Sequence, residues 1–577
     1  MSPVAHPRLA LQLPAWRSRL LLLALLAWFA ALALRALYLQ GLHNDFLQQK
    51  GESRYSRMIE LAATRGPIVD RNNEPLALST PVESVAASPA DIEITPEQLQ
   101  RLARLLGADA ADLRKRLADT RREFVYLKRQ LPPDEAARVV ALGVPGVFLQ
   151  REHRRYYPAG EVTAHLIGFT DVDGRGREAL ELAFDQQLAG RAGSRRVIKD
   201  RLGQIVEDME SIRAPQNGRT LALSIDAKIQ YLAYRELKAA VAANRARAGS
   251  IVVLDVATGE VLAMANLPSF NPNNRERFDP PRARNRAVTD LFEPGSTLKP
   301  FTAAAALESG TVRPESVIET APGSFAIGNR VIHDAHPQGA LTVAQVIQKS
   351  SNIGTAKIAL ELGPDAMWSL FHQIGFGAPP HSGFPGEVPG RLRAAASWRP
   401  IEQATMSYGH GISVSLLQLA RAYLIFATDG ELRPVTLLRR EVPASTTRVI
   451  SAETARAVRR MLELAVQPGG TAPRAQVTGY RVAGKTGTAR KIEGRGYATD
   501  RHVASFVGFA PASAPRLLVA VMIDEPAGTS HTGGAVAAPV FSSVMADALR
   551  ALGVPPDAPL DNVMLPPSSA QEIREEV

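Results

Sequence analysis

The chain has 577 residues, 45% of them hydrophobic, and carries 67 Lys and Arg against 57 Asp and Glu, a formal net charge of +10. That length exceeds what one hydrophobic core sustains and implies two or more domains. Cysteine is absent, which excludes disulfides, thiol catalysis and a lipoprotein anchor; the arginines are scattered without a nucleic-acid-binding signature, so no nucleic acid is expected and the excess charge suits a surface near anionic lipid or wall polymers.

Residues 20–34 hold no charged or strongly polar group, the apolar run resumes after Arg35 as Ala36-Leu37-Tyr38-Leu39, and Arg8, Arg17 and Arg19 precede it. About twenty residues cross a bilayer, a length reached here with Arg35 snorkelling to the far interface. The pattern predicts a cytoplasmic tail over 1–19 and a transmembrane helix over 20–40, with the rest beyond the membrane. A signal peptide cleaved at Ala31-Leu32-Ala33 is the competing reading, and the apolar sequence continuing past that point favours the anchor.

Residues 41–215 mix helical charged stretches, Gln98 to Asp119 and Pro133 to Leu142, with strand-like pieces. They hold no catalytic motif and read as a pedestal domain. From Thr220 the pattern changes. Leu221 to Asp226 is strand-like, a helix runs to about Asn244, and Ser250 to Val256 with Glu260 to Ala265 forms a hairpin about Thr258-Gly259. After a helical region come three strands, Arg481 to Arg490, His502 to Ala510 and Leu517 to Asp524. The order predicts an α/β (α+β) domain over 216–555, with an antiparallel sheet flanked by helices. The tail, 556–577, is rich in Pro, Ser, Asp and Glu and is expected to be disordered.

Three motifs carry chemistry: Ser296-Thr297-Leu298-Lys299, Ser350-Ser351-Asn352 and Lys485-Thr486-Gly487. A serine hydroxyl becomes a nucleophile when a base lies within hydrogen-bond reach. Phe292-Glu293-Pro294-Gly295 breaks regular structure, so a helix opening at Ser296 would set Lys299 one turn below the hydroxyl. No other lysine has a serine three residues before it, and Lys485-Thr486-Gly487 has no second copy. Ser350 fits a proton relay and equally a helix N-cap; Asn352 offers an amide to Lys299 and to a peptide. The small residues of Val482 to Ala489 let a substrate backbone lie against a strand, Lys485 adds a cation for a carboxylate, and Thr486 and Thr488 add hydroxyls. The backbone N–H groups of Ser296 and Thr488 are the natural candidates for an oxyanion hole. The order of the three motifs is the mark of penicillin-binding proteins and class A β-lactamases.

Further blocks carry a resemblance over nearly the whole chain. Arg65-Gly66-Pro67-Ile68-Val69-Asp70-Arg71-Asn72, Tyr157-Pro158, His165-Leu166-Ile167-Gly168-Phe169, Glu178-Ala179-Leu180-Glu181 and Asp200-Arg201-Leu202-Gly203 resemble class B penicillin-binding proteins, with Ala179 in place of the usual glycine. Asn271-Pro272-Asn273-Asn274, Arg284 to Asp290 and Phe292 to Gly295 are similar to the Gram-negative cell-division (septal) branch more than to the elongation branch. His531-Thr532 stands before Gly533-Gly534 in place of an aromatic pair. Glu387 and Trp398, on the long loop between motifs, receive no catalytic role.

The resemblance implies a serine D,D-transpeptidase in the inner membrane, catalytic domain periplasmic. Its substrates would be peptidoglycan stem peptides ending in D-Ala-D-Ala and its covalent inhibitors β-lactams, with no cofactor and no metal. Implied partners are a polytopic lipid II polymerase and other division proteins. The alternatives are an elongation-type enzyme, a β-lactamase or β-lactam sensor, and a division scaffold.

Overall fold

The computed structural model describes residues 15–39, 56–122, 124–199, 205–276, 278–442, 444–494 and 496–564. The block Asp200 to Gly203 and the end of the tail lie outside them. Helix α1, Ala15–Leu37, has 23 residues and a mean hydropathy of 2.4, long and apolar enough to cross a membrane. It opens five residues before the expected span, so Arg17 and Arg19 lie in its first turns. At its far end the Arg35 guanidinium lies 5.7 Å from the Tyr38 ring, a partner suited to an interface.

The chain divides into two compact units. One contains 1–63, 82–152 and 191–216, and the other 64–81, 153–190 and 217–577. In the first unit the expected helical stretch from Gln98 to Asp119 is two helices, Pro96–Leu106 and Ala110–Leu117. Gly107 takes φ 58° and ends the first, and Asp109 caps the second by accepting from the Ala111 and Asp112 N–H groups. Leu99, Leu102, Leu106 and Leu113 pack with Val85, Val125 and Leu127 in a small core. A three-stranded antiparallel sheet pairs Gly193–Lys199 with Ser56–Leu61 and Ile205–Arg213.

The second unit is built on helix α2, Ala227–Ala243, and strands β1, Ala248–Asp255, and β2, Val261–Leu267. Helices α3 (Lys299–Glu308), α4 (Val343–Lys349), α5 (Asn352–Leu362), α6 (Leu416–Ala427) and α7 (Ala452–Val466) follow. Strands β3 (Ala483–Glu493), β4 (Gly496–Ala510) and β5 (Leu517–Asp524) and helix α8 (Ala538–Ala551) complete it.

The sheet is antiparallel throughout, in the order β2-β1-β5-β4-β3, with β3 at an edge. Successive side chains of a strand face opposite ways. Ile251 and Val253 accordingly meet α2 and α8 in one core, while Val252 and Leu254 meet α3 and α6 in the other. Burial on both faces explains why β1 and β2 are apolar without alternation.

Three expectations change. A single boundary at 215/216 does not describe the units, because Ile68, Leu76, Tyr157, Leu166, Leu180 and Leu188 belong to the same core as Val252 and Phe301. Buried Glu181 also accepts from Arg65 and Arg155, each at 2.7 Å. The strand expected over Leu221 to Asp226 is confined to Leu221–Ala222, parallel to Ile68–Val69, since the Ser224 hydroxyl instead shares its hydrogen between the Val261 and Thr436 carbonyls and Asp226 caps α2. Residues 556–564 of the expected tail are held in place by side-chain contacts. Asp557 accepts from the Arg481 N–H and from Ser513, Asn562 accepts from Gly479, and Gln476 pairs twice with the Met564 backbone.

Candidate active site

Ser296 lies in a 3-10 turn, Gly295–Leu298, and the α-helix begins only at Lys299. The difference from the sequence expectation is local. Gly295 at φ 57° receives the chain, its N–H donating to the Gly409 carbonyl at 3.3 Å. A Cβ on Gly409 would lie 2.2 Å from the Gly295 oxygen, so Gly409 is required for this contact, while the positive φ of Gly295 is what favours glycine there. The turn is pinned by Thr297 Oγ1 donating to Pro294 O at 2.7 Å and Tyr423 Oη donating to Thr297 O at 2.6 Å. Pro300 sits in the first turn of α3, where a missing N–H costs nothing.

Lys299 is fully buried. Its Nζ donates to the Ser350 carbonyl and, at 3.1 Å, to Ser350 Oγ. The spacing of the two motifs is thus closed in space. Ser350 is not an N-cap: it ends α4 in the left-handed region, φ 60°. The cap of α5 is Ser351, whose Oγ accepts from the Gly354 N–H at 2.9 Å. A non-glycine residue in this region is uncommon and worth a functional explanation; here it turns the Ser350 hydroxyl toward Lys299.

Asn352 opens α5. Its Nδ2 donates to the His333 carbonyl at 3.0 Å, leaving Oδ1 buried without a partner. An unpaired buried acceptor costs roughly 1–3 kcal/mol, which a ligand N–H would recover. Sequence reasoning missed the residue that holds this turn. Asp334 accepts from Ser351 Oγ at 2.6 Å, Asn352 N at 2.6 Å and Ile353 N at 3.0 Å. It also raises the Tyr408 phenol pKa, the larger cause being burial of Tyr408.

Lys485, Thr486, Gly487 and Thr488 lie on β3 and are buried. Lys485 Nζ donates to Thr486 Oγ1 at 3.0 Å and to Thr486 O at 3.3 Å. Gly487 is required by contact: a Cβ there would lie 2.7 Å from Pro294 O and 2.9 Å from Thr297 Cγ2. This strand therefore packs directly on the serine turn. Thr488 Oγ1 accepts from the Gly533 N–H at 3.0 Å. As an edge strand, β3 leaves one row of main-chain groups without a strand partner in its own sheet.

Beside the turn, Glu293 accepts from Gly411 N at 2.8 Å and Tyr497 Oη at 3.0 Å, and lies 3.1 Å from His410 Nδ1. His531 stacks on His502 with ring centroids 4.1 Å apart. Glu387 accepts from the Ser382 N–H, and Trp398 Nε1 donates to Arg393 O. Among the described residues no group of three or more His, Cys, Asp or Glu is placed to hold a metal ion.

Residues 249–546 match the penicillin binding protein transpeptidase domain, and residues 60–223 the penicillin-binding protein dimerisation domain. The probable peptidoglycan D,D-transpeptidase PenA of Neisseria gonorrhoeae is 45% identical over 548 residues, covering 94% of each chain. Peptidoglycan D,D-transpeptidase FtsI of Escherichia coli K12 is 42% identical over 549 residues, covering 94% of this chain and 93% of its own. Penicillin binding protein 3 of Mycobacterium tuberculosis, solved with aztreonam, superposes with a TM-score of 0.68 at 30% identity, covering 87% of this chain and 99% of that one. The apo transpeptidase domain of Burkholderia pseudomallei penicillin-binding protein 3 gives 0.55 at 52% identity, covering 58% of this chain and 98% of its own.

Proposed function

The chain belongs to the class B penicillin-binding proteins, which join a dimerisation domain to a transpeptidase domain, and on that premise we propose that it is a peptidoglycan D,D-transpeptidase of septal wall synthesis, working through an acyl-enzyme on Ser296. The enzyme class is that of its FtsI and PenA relatives. The septal assignment is supported by the blocks at 271–274, 284–290 and 292–295, which resemble the septal branch.

Ser296 Oγ attacks the carbonyl of the penultimate D-Ala as its proton passes to a neutral Lys299 amine. The tetrahedral oxyanion forms between the N–H groups of Ser296 and Thr488. The amide C–N bond then breaks and terminal D-Ala leaves with a proton delivered through Ser350. The amine of a neighbouring stem peptide attacks the ester and forms the cross-link, the ester C–O bond breaks, and a proton lost by that amine restores the Ser296 hydroxyl. Asn352 Oδ1 accepts from a substrate N–H, Lys485 and Thr486 hold the terminal carboxylate, and the edge of β3 pairs with the extended peptide. Acyl transfer conserves bond type, so the cleaved peptide bond supplies the driving force without a cofactor.

Helix α1 anchors the chain with its N-terminus cytoplasmic and the catalytic unit periplasmic, in reach of a polytopic lipid II polymerase and division proteins. The observation that carries the reading is the buried Lys299 amine held on Ser350. The test is intact-mass analysis of wild type and Ser296→Ala with benzylpenicillin. A long-lived adduct on wild type alone is expected. Absence of an adduct would remove Ser296 from its role, and rapid loss with drug turnover would make the protein a hydrolase.

A further inference from the structure

Glu293 precedes Ser296 by three residues and is buried, yet no step of the reaction uses its carboxylate. Its Oε1 accepts from the Gly411 N–H at 2.8 Å. Two residues back, the Gly409 carbonyl accepts from the Gly295 N–H, and Phe292 and Val414 exchange main-chain bonds at 3.1 and 3.0 Å. The approach to the serine turn is therefore laid along the segment 409–414.

The second oxygen faces a different element. Oε2 accepts from Tyr497 Oη at 3.0 Å, and Tyr497 is the second residue of β4, opposite Ile492 of β3. Burial, and then the Glu293 charge, push the Tyr497 phenol up from its usual range, so the hydroxyl keeps its hydrogen and donates it. His410 Nδ1 stands 3.1 Å from Oε2 and 3.3 Å from Tyr497 Oη. The Nε2 of that ring is buried without a hydrogen-bond partner among the described residues, so its polar contacts lie on this side.

The β3–β4 hairpin thus meets the serine turn at two places. One is Gly487, where a Cβ would lie 2.7 Å from Pro294 O, and the other is Tyr497 on Glu293. Between Gly487 and Ile492, β3 carries Thr488, whose N–H is a proposed oxyanion donor. A strand that slips at the second place moves this N–H relative to Ser296, and rates fall steeply when reacting groups are displaced.

We propose that Glu293 is a positioning residue that clamps the β3–β4 hairpin to the serine turn through the Tyr497 hydroxyl. The clamp keeps the spacing between the Thr488 N–H and the Ser296 hydroxyl. This deepens the transpeptidase reading and rests on it.

The test is a double-mutant cycle of wild type, Tyr497→Phe, Glu293→Ala and the double variant, each assayed where its melting curve shows it folded. Saturation kinetics with benzylpenicillin separate the first-order acylation constant from the dissociation constant of the non-covalent complex. Tyr497→Phe is expected to lower the acylation constant about tenfold, as for a hydrogen bond to a charged group, and Glu293→Ala at least as much. The double variant then matches Glu293→Ala within twofold, because the hydroxyl acts only through the carboxylate, and the dissociation constants stay within about twofold of wild type. Independent, multiplying losses would place the hydroxyl on the ligand and overturn the inference, as would a loss confined to the dissociation constant or no slowing at all. Failure of wild type to form an adduct would instead overturn the underlying reading, and this inference with it. Should Glu293→Ala unfold, Glu293→Gln takes its place in the cycle, and the cost of Tyr497→Phe then shrinks to less than about threefold, since the charge that strengthens the bond is gone.

Discussion

Replacing Asp334 by Ala would remove three hydrogen bonds from the turn that carries Ser350 and Asn352: those from Ser351 Oγ and from the Asn352 and Ile353 N–H groups. The two N–H groups are first-turn donors of α5 without intrahelical partners, and the carboxylate lies at the positive end of the helix. A lost cap costs about 1 kcal/mol and a lost charge at a helix N-terminus roughly 0.3–1 kcal/mol. Together these put the loss from the turn at about 1.3–2 kcal/mol. If the catalytic geometry exists only while the turn is formed, acylation slows by roughly ten- to thirtyfold, with the residual adduct still on Ser296. Asp334→Asn keeps an oxygen for the two N–H groups but forfeits the charge and the bond from Ser351, so it falls between. Second-order acylation rates by benzylpenicillin, with melting midpoints, decide the matter. Wild-type acylation by a variant that melts early would refute the argument, reducing Asp334 to a stabilising cap.

Gly487→Ala brings a Cβ against Pro294 O and Thr297 Cγ2 and is expected to lower acylation about a hundredfold by shifting the strand from the serine turn; an unchanged rate would show that the strand yields freely. Glu181→Gln strips the charge that both Arg65 and Arg155 contact, and a broken buried pair costs roughly 3–5 kcal/mol, read as an earlier melting midpoint with unchanged chemistry at Ser296. Burial pushes the His165 pKa down from 6.5 to about 4. The unfolded chain therefore takes a proton that the folded chain refuses, so this contribution is full above pH 6.5 and is lost as pH falls toward 4. His165→Gln should flatten the decline of unfolding free energy between pH 7 and 4, and parallel curves for the two proteins would refute the assignment.

The three proposed site motifs stand out in the sequence because the members of each lie close together, and Gly487 marks where β3 must touch the turn of Ser296. The strands of the sheet were legible from their apolar runs, and the helix over Pro133–Val140 from its charge pattern. Asp334 was not. It acts on residues 17 to 19 positions away through a turn whose direction no local pattern encodes. Ser350 was ambiguous for a related reason: serine favours both a cap and a relay, and only the capping of α5 by Ser351 separates them. The division into units escaped a linear reading because Ile68 and Leu76 join a core formed mainly by residues far along the chain.

A wall made of main chain is hard to edit. The groups that β3 offers along its open edge are peptide N–H and C=O, and these belong to every residue type except for the N–H of proline. Mutation therefore reaches this surface only indirectly, by moving the strand through Gly484, Gly487 or the packing of Phe506 beneath it. An inhibitor that binds as an extended peptide would press selection onto those few supporting positions, where the same displacement also damages the handling of the natural peptide.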